Sequence, residues 1–467
     1  MKYILNENVA LRSWIFVPYA YYIKHQRNAI GLKKDEFELL ALCDGTHEIE
    51  KSQLLDRLVE IGLCKEAKNG ERLSEWQKHL NCDNRYMPAM NWQITGKCNY
   101  NCLHCFNAVD NSPLMKEWIL EEAEKMLDDA AKCGINAFTI TGGEPMIHKN
   151  FMDIIRGIYA REMYVEELNT NGYFINQEIL DRLKEIGCVP LMKISFDGVG
   201  HHDWLRNKKG AEETALKAIR LCVENDFPVM VQTNVHRKNV DSMLETAKLM
   251  DSIGVQTIRI IRTTESLRWE QNAKDATLDV SEYYDKMLEF AESYRKTSCK
   301  AEVIIWQFLN IYPVQKAYKM NPVAYQEWEY RDSLPVCKGN RGMIAVGADG
   351  QIYPCHQMSG YFDAKGWDLG SIKTDNLQKI LKESNYLTEV CATVKQLKDN
   401  NPTCGNCEYF KYCCGGCRAI GICFTGDKFG ADTSKCLFFR NGYYQKTKAT
   451  MGDWRNLSPV RELEKND

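Results

Sequence analysis

The chain has 467 residues, 44% of them hydrophobic, with 60 Lys and Arg against 63 Asp and Glu for a net charge of −3, a length that buries two or three cores. The near-balanced charge argues against nucleic acid as the main partner, and no uncharged apolar run approaches the ~20 residues of a membrane span. The start, Met1-Lys2-Tyr3-Ile4-Leu5-Asn6-Glu7, reaches a carboxylate before an export signal forms, so a cytoplasmic protein is expected.

Residues 1–85 read as a small separate module. Alternating runs at Ala10–Phe16 and Ala20–Lys24 predict a hairpin with Pro18 in its turn. An amphipathic helix follows over Lys34–Cys43, stopped at Asp44-Gly45, with a second from about Lys51 to Ile61. Across residues 86–265 short β-branched runs alternate with amphipathic stretches. The predicted strands are Asn91–Thr95, Ala137–Thr141, Val165–Asn169, Met192–Phe196, Val229–Thr233 and Thr257–Ile261. Helical segments such as Met115–Cys133, Gln177–Gly187, Glu212–Asn225 and Val240–Gly254 separate them. This alternation predicts an α/β unit whose parallel sheet curls into a full or partial (β/α) barrel, with chemistry at the C-terminal strand ends. Residues 266–330 read as a bridging helical region, in which the aromatic-rich Trp306–Tyr330 forms connecting helices packed on the barrel or lines the substrate channel. A cysteine-rich unit spans 331–440, and the tail, 441–467, carries no signal.

Twenty cysteines in a chain of this kind point to metal or redox chemistry more than to disulfides. Cys98, Cys102 and Cys105 form C-x3-C-x2-C with Phe106 directly after, in the loop that follows the first predicted strand. Three thiolates at this spacing can hold three irons of a [4Fe–4S] cube and leave the fourth open. A structural zinc site would want four ligands, commonly from C-x2-C pairs. Cys337, Cys355, Cys404, Cys407, Cys413, Cys417 and Cys436 make a second, ordered set containing C-x2-C-x5-C-x3-C. Cys43, Cys64, Cys82, Cys133, Cys188, Cys222, Cys391, Cys414 and Cys423 lack ligand spacing, and most read as buried small hydrophobes.

The first motif resembles that of the radical S-adenosylmethionine (SAM) enzymes, and the strand–helix alternation resembles their partial (β/α)6 barrel. The resemblance implies that the open iron chelates the amino and carboxylate groups of SAM. Thr141-Gly142-Gly143-Glu144-Pro145 resembles the family's GGEP motif, whose glycines approach the SAM amino group. Ser195 and Asp197 resemble the S-x-D-G segment, where the serine approaches SAM, and Arg206 matches an arginine that pairs with the SAM carboxylate. Asn234 either touches SAM or caps a turn.

The second cysteine set resembles the SPASM domain at every position, including Gly350 five residues before Cys355. That implies two auxiliary [4Fe–4S] clusters, one on Cys404, Cys407, Cys413 and Cys436 and the other on Cys337, Cys355 and Cys417. Some relatives add a cysteine a few residues before the first. None precedes Cys337 here, which leaves an open iron, Cys299, Cys414 or a non-cysteine ligand. His356 stands where sulfatase-maturing relatives carry a catalytic aspartate, so it is either a base or a hydrogen-bonded spacer.

Residues 1–85 resemble the winged-helix-like peptide-recognition element of ribosomal-peptide maturases, which takes a leader as an added strand. A DNA-binding winged helix is the rival, weakened by Glu48, Glu50, Asp56 and Glu60 offsetting Lys51 and Arg57; a structural cap is the third reading. Together the resemblances imply a SAM-dependent maturase acting on a ribosomally made precursor peptide, fed by a one-electron donor such as flavodoxin or ferredoxin. A thioether crosslink is the favoured product, and the auxiliary clusters are the electron acceptors. The alternatives are a carbon–carbon or ether crosslink, formylglycine formation, and a non-catalytic iron–sulfur or zinc scaffold.

Overall fold

Two rows of alternating side chains build the centre of the molecule, one row facing helices and the other facing inward. The computed structural model describes residues 1–109, 112–263, 265–322, 332–333, 336–337, 342–353, 355–356, 359–383 and 392–458.

The N-terminal module contains β1 (Lys2–Leu5), β2 (Val9–Trp14), β3 (Val17–Ile23), β4 (Ile30–Gly31), α1 (Lys34–Ala41), β5 (Asp44–Glu48), α2 (Gln53–Glu60), β6 (Cys64–Glu66) and β7 (Leu80–Asn81). Its strands form two small sheets, β5-β1-β6 and β4-β3-β2-β7. Helices α1 and α2 bury Phe37, Leu40, Leu55 and Leu58 against Tyr3, Leu5 and Leu11. Ser52 caps α2 by accepting from the Leu55 amide at 3.2 Å. The hairpin forms, but Pro18 lies inside β3 instead of in the turn, which is Ile15-Phe16. The ladder is irregular between Arg12 and Trp14, opposite Pro18, so the missing N–H costs no regular bond.

This module is seated on the N-terminal ends of the barrel strands. Trp14 Nε1 donates to Cys133 O at 3.0 Å and the Tyr22 hydroxyl to Gly134 O at 2.9 Å. A Cβ at Gly134 would lie 2.8 Å from the Trp14 ring, so only glycine admits the indole. Lys24 pairs with Glu162 at 2.6 Å, and Arg27 Nε donates to Glu166 at 2.7 Å.

The barrel begins with β8 (Ala89–Gln93), followed by a short hairpin, β9 (Ala108–Val109) and β10 (Ser112–Pro113). It continues through α3 (Leu120–Lys132), β11 (Ala137–Thr141), α4 (Phe151–Ala160), β12 (Tyr164–Thr170), α5 (Gln177–Ile186), β13 (Leu191–Ser195), α6 (His202–Arg206) and α7 (Ala211–Glu224). Next come β14 (Val229–Val235), α8 (Met243–Ile253), β15 (Thr257–Arg262), α9 (Leu267–Asn272), α10 (Val280–Arg295), β16 (Glu302–Ile305), β17 (Leu309–Tyr312) and β18 (Ala317–Met320). The six predicted strands are parallel neighbours in chain order, β8-β11-β12-β13-β14-β15, and β16 adds a further parallel strand. Met90, Trp92, Phe138, Ile140, Met192, Ile194, Val231, Ile258 and Ile260 pack on the helices. The alternate positions therefore face inward.

Two expectations are corrected. Trp306–Tyr330 does not form connecting helices over its described part: β17 and β18 make an antiparallel hairpin there, with Leu309 and Ile311 buried, while residues 323–330 lie outside the described residues. The tail, which carries no sequence signal, is structural as far as residue 458: Tyr443–Met451 is a helix burying Tyr443, Tyr444 and Met451, and β21 (Arg455–Asn456) pairs with β18. From the cysteine-rich region β19 (Met343–Val346) joins the barrel sheet parallel to β8, and β20 (Ile352–Tyr353) forms the next strand. Among the described residues no helix is long and apolar enough to cross a membrane.

Candidate active site

The loops leaving β8, β11, β12, β13 and β14 converge at one end of the barrel, opposite the N-terminal module. The loop bearing Cys98, Cys102 and Cys105 lies directly on the Gly142-Gly143 turn. Gly143 N donates to Thr95 O at 2.7 Å and Glu144 N to Lys97 O at 2.9 Å. A Cβ at Gly143 would stand 2.2 Å from Lys97 O, so this glycine is required by the cysteine loop itself. On the other side Leu103 N donates to Leu205 O at 2.9 Å, and Arg268 reaches Asn101 O at 3.1 Å. The three cysteines are half-buried. Burial pushes the Cys98 thiol up to about 12 and Cys105 up to about 11, so neither ionises near neutrality without a cation beside it.

The surroundings fit an iron–sulfur cube. Asn99 Nδ2, the Tyr100 hydroxyl and His104 Nδ1 are buried here without a hydrogen-bond partner, which in a native site calls for a missing group. Among the described residues no three His, Cys, Asp or Glu side chains are gathered closely enough to hold a single ion.

Asp197 and Arg206 form the charged centre of the site, fully within the protein. Arg206 donates to Asp197 through Nε at 2.6 Å and Nη2 at 3.0 Å, and its Nη1 lies 3.9 Å from Cys102 Sγ. Asp197 also accepts from Asn234 N at 2.9 Å. Burial alone would raise the Asp197 carboxyl, but Arg206, His202 and His104 together outweigh it and hold the group well below the usual carboxylate range. Arg206 thus stands between Asp197 and Cys102. Asn234 gives its side chain to His104 Nε2 at 3.2 Å, while its carbonyl accepts from Asn239 Nδ2 at 2.8 Å.

Glu144 is likewise committed. Its carboxylate takes the Thr170 hydroxyl at 2.9 Å and the Asn171 amide at 2.8 Å, tying the β11 loop to the end of β12. Burial raises it to about 7. Pro145 opens a 3-10 turn over Pro145–Ile147 and is buried. Ser195 ends β13 on the inward row, half-buried. Asn171, which no sequence signal beyond its place after β12 marked out, donates to Asn99 at 2.9 Å and lies 3.9 Å from Cys98 Sγ.

In the cysteine-rich region burial raises the Cys404, Cys436 and Cys413 thiols, and neighbouring cysteines add to it: Cys436 and Cys407 beside Cys404, Cys407 beside Cys436, and Cys404 beside Cys413. Cys417 is placed beside Cys337 and within reach of Gln307, and its amide donates to the buried Asp432 at 2.8 Å. Cys355 packs with Tyr353, Ala419 and Ile422, the last two on the helix that follows Cys417. Gly350, with φ +86, makes the turn between β19 and β20. Cys299 lies just before β16 and packs into the main core, whereas Gln307, just after β16, meets Cys417. Cys299 is therefore at the wrong end of the strand to complete that set. His356 is buried, with Nε2 on Asn91 O at 2.9 Å and Nδ1 without a partner. Burial lowers it to about 4, so the ring is neutral at physiological pH.

Residues 92–250 match the model of the radical SAM superfamily, and residues 337–408 match SPASM, an iron–sulfur cluster-binding domain. The chain carries a radical SAM domain and a SPASM domain. SAM, a [4Fe–4S] cluster and auxiliary clusters follow from those domains. An AdoMet-dependent heme synthase of Methanosarcina barkeri is 26% identical over 342 residues, covering 72% of this chain and 92% of the relative. A PqqA peptide cyclase of Granulibacter bethesdensis is 24% identical over 369 residues, 77% of this chain and 90% of the relative. Among solved structures, Streptococcus suis SuiB bound to precursor peptide SuiA superposes with a TM-score of 0.66 at 12% identity, covering 92% of this chain and 99% of that one.

Proposed function

We propose that this radical SAM/SPASM enzyme modifies a ribosomally made precursor peptide, installing a crosslink whose favoured form is a thioether from cysteine sulfur to an α- or β-carbon. One observation carries the peptide reading. The likeness to SuiB leaves only 8% of this chain uncovered, about 37 of 467 residues, so it extends into the 85-residue N-terminal module. The two small sheets of that module offer strand edges on which a leader peptide can add.

Cys98, Cys102 and Cys105 would hold the SAM-binding cluster. Cys404, Cys407, Cys413 and Cys436 would hold one auxiliary cluster, and Cys337, Cys355 and Cys417 the other. When bound, cluster and SAM together supply a 5′-deoxyadenosyl radical, fed by one electron from a donor such as flavodoxin or ferredoxin. The protein's part is positional. Asp197 fixes Arg206 so that its positive charge stands beside Cys102 and favours the thiolate there. Glu144 and Gly143 lock two loops against the cysteine loop, and Ser195 with the Gly142-Gly143 backbone frames the place SAM would take. His356, anchored through Nε2, presents the lone pair of Nδ1 as the proton acceptor from the substrate.

The test is anaerobic reconstitution with iron and sulfide, then reduction with SAM and a cysteine-containing precursor. 5′-Deoxyadenosine, about twelve irons per chain and a peptide lighter by two hydrogens support the proposal. The deoxyadenosine vanishes in the C98A/C102A/C105A variant. Zinc in place of iron, or iron without SAM cleavage, defeats the assignment. A second reading, modification of a tetrapyrrole, is favoured by the heme synthase relatives over 72% of this chain, and a precursor left unchanged while a tetrapyrrole is converted would establish it.

A further inference from the structure

The inward row of the barrel is charged, and its charges do not balance. Lys193 on β13 pairs with Glu167 on β12 at 2.5 Å, and Thr139 on β11 donates to the same carboxylate at 3.1 Å. Glu167 is thereby spent. Arg259, on the inward row of β15, shares this space, but it donates to a neutral group: Nη1 to Gln232 Oε1 at 3.2 Å. Its guanidinium lies 3.8 Å over the Trp306 ring, and its Nε is buried with no partner at all. Two cations therefore face one carboxylate, and the surplus positive charge stands on the half-buried wall of the lumen. Such a group is costly to bury unless something anionic completes it.

Around it the row carries further unmatched polarity. Asn91 Oδ1, Gln93 Nε2 and Asn169 Oδ1 are all buried without partners. A lumen lined only to be filled by its own side chains would pair these groups. One that receives a polar guest leaves them open. Depth and access fit as well. Arg259 is three residues short of the last residue of β15, roughly 10 Å below the strand end at about 3.3 Å per residue. Trp306, the ring beneath the guanidinium, also walls a cavity of about 140 Å³ between the barrel mouth and the C-terminal helices, with Ile261, Gln307 and Phe424.

We propose that Arg259, stacked on Trp306 and steadied by Gln232, is a subsite for a carboxylate of the substrate. The modified segment would then carry an aspartate, a glutamate or the chain terminus next to the reacting residue. An unpartnered Nε beside an Nη is the donor pair that a carboxylate takes bidentately. This deepens the peptide reading above and rests on it for the source of the carboxylate, but not for the carboxylate itself.

The test uses reconstituted enzyme with SAM and two capped tripeptides, acetyl-Gly-Glu-Gly-amide and acetyl-Gly-Gln-Gly-amide, titrated calorimetrically. Wild type binds the glutamate peptide at least tenfold more tightly than the glutamine peptide. Arg259→Gln removes the difference, and Arg259→Lys keeps part of it, which guards against a variant that merely misfolds. Arg259→Glu reverses the preference toward acetyl-Gly-Lys-Gly-amide. No discrimination in wild type with either tripeptides or a tetrapyrrole, or discrimination unchanged in Arg259→Gln, overturns the subsite. A parallel titration with iron coproporphyrin separates the two readings. Tight binding lost in Arg259→Gln, with no tripeptide effect, keeps the carboxylate subsite and overturns the peptide as its source.

Discussion

Replacing Asp197 by asparagine is the most informative single change, because its cost can be worked from the donors that surround it. Asp197 Oδ2 receives Arg206 Nε at 2.6 Å, while Oδ1 receives both Arg206 Nη2 at 3.0 Å and Asn234 N at 2.9 Å. An asparagine oxygen at the Oδ1 position still satisfies two donors. Its Nδ2 then faces Arg206 Nε, donor against donor, with only His202 Nδ1 at 3.0 Å as an acceptor for it, and the buried guanidinium has lost its counter-charge. Breaking a buried pair from one side costs about 3–5 kcal/mol. For a domain of this size that lowers Tm by roughly 6–20 °C. Anaerobic scanning calorimetry on wild type, D197N, R206M and the double variant would measure it. The double variant should be less destabilised than the sum of the singles, with a coupling of about 2 kcal/mol or more. Reconstitution of D197N should lose about four of about twelve irons, because Arg206 no longer stands fixed beside Cys102. A D197N protein melting within about 2 °C of wild type, or strictly additive variants, would refute the claim that this carboxylate exists to hold Arg206.

Other outcomes are expected. Gly143→Ala drives a Cβ to within 2.2 Å of Lys97 O and should abolish SAM cleavage while leaving the iron of the cysteine-rich domain in place, checked by iron analysis and deoxyadenosine yield. Trp14→Ala removes a buried indole and its bond to Cys133 O, costs about 3–5 kcal/mol, and should release residues 1–85 to limited proteolysis. Cys299→Ser should leave auxiliary iron unchanged, whereas Cys417→Ala should not. His236 is fully buried against Trp204 and Trp269, and burial lowers it to about 4. The unfolded chain therefore takes up the proton first as pH falls. Its contribution is complete above the ordinary histidine range and is lost between about pH 6.5 and 4, with about 2 kcal/mol gone at pH 5. Urea melts of wild type should show this slope, and His236→Gln should flatten it.

The core of this fold was legible because each central strand alternates cleanly and each following helix carries its own stops: Gly187 and Gly254 close α5 and α8 in the left-handed conformation where the pattern ends. The hairpin β17–β18 was not, because aromatic residues in Trp306–Met320 mask a period of two that only burial reveals. The cysteine positions stood out by spacing alone. Roles within the site did not. GGEP marks Glu144, but nothing in the motif says that its carboxylate is consumed by Thr170 and Asn171. Arg259 has no motif at all, since its meaning lies in Lys193, Glu167 and Trp306, which only the closed sheet brings near.

The strand β19 has a consequence for how such enzymes can be taken apart. It hydrogen-bonds to β8, the strand that launches the cysteine loop, through the register Met343 to Ala89 and Val346 to Trp92. A truncation before residue 342 would not free a self-sufficient barrel. It would strip the partner from the first strand and leave an open, apolar edge ready to pair with another chain. The auxiliary region is thus no detachable appendage, and a chimera that exchanges it should carry the facing edge of β8 with it. Recombination that respects this seam should give soluble hybrids, and recombination that cuts across it should give aggregates.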